Sequence, residues 1–330
     1  MSTRDDPVGT CQWTADRPDS CAATFADDER PASTGTAIVL PIRPRSAYVD
    51  GVPLFCLAGE AVLAWNYAGL LAHSDSRVPI YGLQASIEPR TIGDYAARYL
   101  TEIRRIAPHG PYQLLGWSAG GFVAHEVAVR LRTAGEHVRV VLLATDPAAA
   151  TPASLSGDRF ARLLGIDLGT RTRDTPANRS STPPGTGTNA PVGEVPGDRS
   201  APLLRTDVTA ATDSCTTAAA INTALAGTID LSGSDLDHIT DLSAKAARMV
   251  TGDRPSWLPG ELAVCIAGRE PDGTDRVDPA ATVRNWRPYV EGAVTGFVLD
   301  ATVDDLIAPD LLPEIARILA MTRPSARATC

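Results

Sequence analysis

Short, almost wholly apolar runs recur through the chain at helix-length intervals, and this alternation restricts its fold more than any other feature. AIVLPI, PLFCLA, VPIYGL, YQLLGW and VRVVLLA are six or seven residues each, from residue 37 to residue 144. They are too short for core helices, rich in β-branched and aromatic side chains, and read as strands. Helical patterns near 62–73, 91–106 and 119–134 lie between them. Strands apolar on both faces, joined by helices, predict an α/β chain with a mainly parallel sheet covered on both sides.

The alternation stops after Pro147. Between Arg171 and Ser200 the only large aliphatic residues are Val192 and Val195, too little apolar surface to offset the entropy of ordering. Helical patterns return around 215–227 and 236–250, then strands at 261–267 and near 294–299, and a last helix near 309–320. The expected organisation is a disordered tail over 1–36, a first core segment over 37–150 and an inserted helical lid over 151–235. The lid is disordered near 171–210. A second core segment over 236–322 and a tail over 323–330 complete the chain.

With a formal net charge of −9, no Lys/Arg cluster and no zinc-type or phosphate-cradling motif, the chain is not expected to bind nucleic acid. No apolar run reaches the roughly 20 residues that cross a bilayer. The six cysteines lie far apart, at 11, 21, 56, 215, 265 and 330, and no secretory signal precedes them. Reduced thiols and a cytoplasmic location are expected.

One junction carries chemistry. In LLGWSAGG, Ser118 stands between a strand and the helical stretch GGFVAHEVAVRLRTAG, flanked by Gly116 and Gly120 in the G-x-S-x-G spacing of a nucleophile elbow. The tight turn excludes larger side chains at the glycines and lifts the hydroxyl above the strand ends. The N–H of Ala119, at a helix N-terminus, is placed to donate to a developing oxyanion.

Around that junction, PLFCLAGEAVLAWNYAGL, VPIYGLQA, GPYQLLGWSAGGFVAHEVA and VVLLATDP resemble the thioesterase domains of nonribosomal peptide and polyketide synthases, as do GELAVCIAGRE, NWRPYV, VTGFVLDATVDDLIAP and LPEIARIL further on. The resemblance covers about 38–150 and 236–322. It implies an α/β-hydrolase fold with a lid, and a serine that accepts an acyl or peptidyl chain from the phosphopantetheine thiol of a carrier protein. No cofactor of its own is implied. Because the chain starts with Met and shows no adenylation or carrier sequence, a free-standing protein acting on a separate carrier protein is expected.

The resemblance also implies a triad that this sequence lacks. The family's histidine falls in a pattern like D-C-T-H-D-D-M, matched here by Asp300–Leu306, with Val303 at the histidine position. Its aspartate, in L-L-D-x-x-P, is matched by Ala144, with Asp146 two residues on. The first oxyanion loop, usually like H-P-x-G-G, is Ala58–Val62 here, with Glu60 at the place of a backbone donor. All three supporting elements depart from the pattern.

Substitutes are few. His73, His109 and His137 fall at the edge of the sheet opposite the serine, roughly 15–20 Å away at about 3.3 Å per residue. His125 lies about 10 Å down the elbow helix at 1.5 Å per residue. His238, at the end of the lid region, is the one histidine left as a base. Glu60, Asp146, Asp304 and Asp305 fall in loops at the serine's edge, and Glu60 or Asp146 is a candidate acid or base if burial raises its pKa. Loss of a triad histidine costs on the order of 10⁶ in turnover. The expectation is therefore acyl transfer, cyclisation or rearrangement rather than efficient hydrolysis. The alternatives are a catalytically inactive binding or accessory protein for a carrier protein or its cargo, and a hydrolase using His238.

Overall fold

The apolar runs pair into one seven-stranded sheet in the computed structural model, which describes residues 38–59, 63–84, 91–148, 166–167, 204–205, 215, 217–219, 222, 232–250 and 254–324. The N-terminal tail, nearly all of the stretch at 171–210 and Glu60 lie outside the described residues. In chain order the strands are β1 (Val39–Arg43), β2 (Leu54–Leu57), β3 (Ile80–Leu83), β4 (Tyr112–Trp117), β5 (Val138–Leu143), the two-residue β6 (Ile166–Asp167) and β7 (Leu204–Arg205), β8 (Leu262–Ala267) and β9 (Val294–Leu299). The large sheet has the order β1-β3-β2-β4-β5-β8-β9, and β6 pairs with β7 separately. Only β1 runs antiparallel to its neighbour; every other pair in the sheet is parallel, as the apolar pattern predicts.

Among the described residues the α-helices with defined bounds are α1 (Ile92–Ile106), α2 (Ala119–Thr133), α3 (Gly233–Met249), α4 (Ala280–Trp286) and α5 (Leu312–Thr322). Alternate strand residues feed two cores. Phe55, Leu57, Leu114, Leu142 and Val264 pack with Tyr99 and Ile103 of α1 and Val127 and Leu131 of α2. Leu54, Cys56, Leu115, Val141 and Cys265 pack with Tyr67, Leu70 and the α5 residues Ile315, Ile318 and Leu319. This period-two division explains why the strands read as unbroken apolar runs.

The helix expected over 62–73 is a 3₁₀ helix, Trp65–Ala72, in a stretch where Asn66 and Gly69 are weak α-formers and the Leu312 side chain crowds Gly69. α1 starts at Thr91, whose side chain accepts the Asp94 N–H, and α3 opens with a capping box between Ser232 and Asp235. α3 joins both cores. Leu236, Ile239 and Leu242 belong to the cluster containing Leu143 and Leu306, whereas Ala246 and Val250 belong to the one containing Tyr95 and Val123. No helix among the described residues is long and apolar enough to cross a membrane.

Candidate functional site

β4 hands directly to α2 at Ser118, whose backbone takes φ 51° and ψ −118°. A non-glycine residue in that region stores strain on the order of 1–3 kcal/mol and persists only where its surroundings hold it. Those surroundings are specific. The Ser118 N–H donates to Leu143 O at 2.9 Å, and Ser118 O accepts from the Gly121 N–H at 2.9 Å and the Thr145 hydroxyl at 3.2 Å. Thr145 Oγ1 also donates to Leu143 O, and the Trp286 indole N–H donates to Thr145 O at 2.7 Å. A chain of hydrogen bonds thus runs from α4 through the loop after β5 to the elbow.

The glycine spacing has the steric reason expected of it. A Cβ on Gly116 would overlap the Gly120 carbonyl, and one on Gly120 would lie 2.7 Å from Ala58 O. The backbone after β2 is therefore pressed against the first turn of α2. Ala119 opens that helix, so its N–H has no intrahelical acceptor. Beside it lies a recess of about 10 Å³, room for about one water, walled by Gly59, Tyr95, Ala119, Val123, Ala246 and Met249. Ser118 itself is buried, at 5% exposure.

Ala144 ends β5 with φ 45°, a left-handed conformation that aspartate and asparagine tolerate better than alanine, and its N–H donates to Cys265 O. Val303 precedes the 3₁₀ turn Asp304–Ile307. Both side chains pack against the same apolar cluster, which includes Leu143, Ala301 and Leu306. The two positions that the sequence resemblance pairs thus both carry hydrocarbon side chains set against one large apolar cluster.

The other candidates are placed as follows. Asp146 has both carboxylate oxygens occupied: Oδ1 accepts from Asn285 Nδ2 at 3.0 Å and from the Ala148 N–H at 2.9 Å, and Oδ2 accepts from the Thr282 hydroxyl at 2.7 Å. It ties the loop after β5 to α4. His238 is exposed on α3, between the buried Leu236 and Ile239. Its neighbours Asp235 and Asp241 have lowered pKa values, chiefly through hydrogen bonds from Ser232 and Lys245. Asp305 accepts from the Thr302 hydroxyl at 2.7 Å. His109 lies beside Glu136, before β4 and β5. Glu60, proposed as both acid or base and backbone oxyanion donor, lies outside the described residues.

The two buried cysteines of the sheet, Cys56 and Cys265, are not competing nucleophiles. Burial pushes the Cys265 thiol up to about 12 and the Cys56 thiol well above the ordinary cysteine value, so neither is a thiolate near neutral pH. Among the described residues no group of His, Cys, Asp and Glu is arranged to hold a metal ion.

Sequence reasoning missed Thr145 and Trp286 as supports of the elbow, and α4 altogether. Seven residues with Pro279 just before them are too short for a clear helical period, and nothing local marks Trp286 as a partner of a residue 141 positions earlier. Tyr67, whose hydroxyl donates to Leu57 O at 3.1 Å at the end of β2, was equally silent.

Residues 52–162 match the family model of the thioesterase domain. The chain is 29% identical over 294 residues to a dimodular nonribosomal peptide synthase of Bacillus subtilis, an alignment covering 86% of this chain and 11% of that one. It is 39% identical over 136 residues to vanchrobactin synthetase VabF of Vibrio anguillarum, covering 38% of this chain and 5% of that one. The chain thus spans only a small part of the length of the curated relatives it matches. Among solved structures it is similar in fold to a four-domain nonribosomal peptide synthetase bound to AMP and glycine, with a TM-score of 0.59 at 16% identity over 88% of this chain and 20% of that one. The wild-type Vlm2 thioesterase domain gives a TM-score of 0.56 at 14% identity, covering 86% and 97% of the two chains. The strained serine elbow, the mainly parallel sheet and these matches lead to one assignment: the chain carries a thioesterase domain related to those of nonribosomal peptide and polyketide synthases, built on the α/β-hydrolase fold.

Proposed function

We propose that this domain acts on an acyl or peptidyl thioester presented on the phosphopantetheine arm of a carrier protein in the cytoplasm, and that it transfers, cyclises or rearranges the chain rather than hydrolysing it efficiently. The observation that carries this reading is a serine held in the strained elbow conformation, in a chain with Ala144 and Val303 at the positions that the family resemblance matches to the aspartate and histidine. Strain of this kind is retained where the geometry is used. In this reading alanine and valine at the positions matched to the family's aspartate and histidine leave water without its usual activating pair.

In the first step the Ser118 oxygen attacks the thioester carbonyl; the C–O bond forms, the C–S bond breaks, and the pantetheine thiol leaves with the serine proton. The Ala119 N–H stabilises the oxyanion. In the second step an amine or hydroxyl of the substrate attacks the ester carbonyl; the new C–N or C–O bond forms, the acyl C–O bond to Ser118 breaks, and the attacking group's proton returns to the Ser118 oxygen. Such a nucleophile, tethered to the acyl group, gains from effective concentration what it lacks in base catalysis. Asp146 serves in this reading as a brace between the loop after β5 and α4, because its oxygens are already occupied. The lid expected over 151–235 lies almost wholly outside the described residues.

A second reading is supported by the hydrocarbon packing of Ala144 and Val303: a thioesterase-fold binding protein for a carrier protein or its cargo, without turnover. Intact mass measurement after incubation with acyl-pantetheine thioesters separates the two. The first reading expects a covalent acyl adduct on the wild type that Ser118→Ala abolishes. Carrier-protein affinity with no adduct and no product, and with Ser118→Ala indistinguishable from wild type, overturns it in favour of the second.

A further inference from the structure

The two edges of the seven-stranded sheet are built differently. At one edge β1, with the sequence VLPIR, carries Pro41 and Arg43 and shifts its register against β3 between them. A proline, a charge and a bulge are devices by which an edge strand avoids further pairing. At the other edge, among the described residues, lies β9, VTGFVL, with no proline, no charge and no register shift against β8. Thr295, Gly296 and Val298 are exposed, Val298 at 57%. An uncharged, regular strand open to solvent is a template for another strand.

Pairing with β8 fixes which backbone groups of β9 point outward. The Leu262 N–H donates to Ala293 O and the Gly268 N–H to Leu299 O, so the odd-numbered residues of β9 spend their backbone groups on β8. Val294, Gly296 and Val298 turn theirs to the open edge. An antiparallel second β9, with a two-fold axis at Gly296, matches this set to itself. Gly296 faces Gly296 and Val294 faces Val298, each pair exchanging both of its N–H···O bonds. Thr295 faces Phe297 in a closer, non-hydrogen-bonded pair, a favourable match of β-branched and aromatic side chains. A Cβ on Gly296 would lie 2.6 Å from Val283 Cγ2 of α4, so no side chain projects at the axis. The charges at the strand's ends match as well. Exposed Arg287 donates to Gly292 O at 2.7 Å just before β9, and exposed Asp300, with Oδ1 engaged by Arg269, directly follows it. Antiparallel pairing sets the start of one strand against the end of the other, so Arg287 meets the partner's Asp300 and Glu291 meets the partner's Arg269. A parallel arrangement would set like charges together.

We propose that β9 is the docking edge for a second copy of this chain, giving a two-fold dimer whose sheet runs continuously through the β9–β9 seam. An unrelated extended peptide could use the same backbone groups but not the charges at both ends. The dimer closes, because the edges left at its two ends are the blunted β1 strands. The elbow at the end of β4 lies three strands in from the seam, roughly 14 Å at about 4.8 Å per strand, and the inference does not depend on the reaction proposed for Ser118.

Sedimentation velocity of the full chain from about 1 to about 100 μM tests the proposal, with circular dichroism to show that each variant is folded. Expected is a concentration-dependent species at twice the chain mass of 34.7 kDa. Val298→Pro removes an outward N–H that β8 does not use, and Val298→Lys sets a charge on the edge; each should weaken the dimer about tenfold or more. Arg287→Asp should also weaken it, and adding Asp300→Arg should regain about threefold or more of that loss. A monomer throughout the range overturns the proposal, the edge then being covered by a segment of the same chain or left for another protein. So does a dimer whose affinity is unaffected by a folded Val298→Pro or a folded Val298→Lys. A double variant no tighter than Arg287→Asp alone overturns the antiparallel register and with it the dimer proposed.

Discussion

Burial pushes the His125 imidazole down to about 4, against an ordinary value of 6.5, because the low-polarity interior disfavours the cation. Between those two values the unfolded chain binds a proton at this position that the folded chain does not, so acid drives unfolding. The contribution is fully present above about pH 6.5 and is lost as pH falls towards 4, where the folded imidazole also protonates. A gap of about 2.5 pH units at 1.36 kcal/mol per unit amounts to about 3 kcal/mol, a large part of a typical domain's stability. The exposed carboxylates held below their ordinary values by Arg77, Arg323 or Arg284, namely Asp50, Asp75 and Asp278, titrate below this window. Urea unfolding followed by the fluorescence of the buried Trp117 and Trp286, from pH 7.5 to pH 4.5 in carboxylate-free buffers, measures the effect. Wild type should lose about 2–3 kcal/mol more than His125→Phe across that range, while at pH 7.5 the two should agree to within about 1 kcal/mol. Parallel loss in the two proteins would show that the imidazole is protonated or partnered in the folded state and refute the reasoning.

Three further outcomes follow from the elbow's supports. Trp286→Phe removes the 2.7 Å hydrogen bond to Thr145 O and leaves a void at a fully buried site, so chemical denaturation should report a loss of about 2–3 kcal/mol; a double cycle with Thr145→Val should be non-additive by about 0.5 kcal/mol or more. Ser118→Gly should be more stable than Ser118→Ala by about 1 kcal/mol in the same assay, since only alanine keeps a Cβ at φ 51°. Asp146→Ala should cost about 2 kcal/mol by loss of three hydrogen bonds to a carboxylate while leaving the amount of acyl adduct on Ser118 unchanged; loss of the adduct in a folded Asp146→Ala protein would restore Asp146 as the base.

The strands and the elbow were legible because their signals are local. A strand buried on both faces must be apolar at every position, and LLGWSAGG carries its glycines within two residues of the serine, where backbone atoms of one short turn collide with any side chain. The first strand's direction was not legible, since an apolar run reads the same in a parallel and an antiparallel pair. The site's supports were hidden for a related reason. Thr282 and Asn285 meet Asp146 across 136 and 139 residues, and no pattern in either segment names the other.

The amino-acid sequence alone therefore determined the α/β class and the position of the strained serine, because each depends on residue type at a short fixed spacing. Tertiary structure decided the rest: that Ala144 and Val303 share one apolar cluster, that Asp146 spends its oxygens on α4, and that His125 is sealed against Trp286 with an unpartnered nitrogen. Those properties belong to pairs of segments far apart in the chain, and hydrogen bonding, burial and the field at a buried nitrogen exist only once folding has set them against each other.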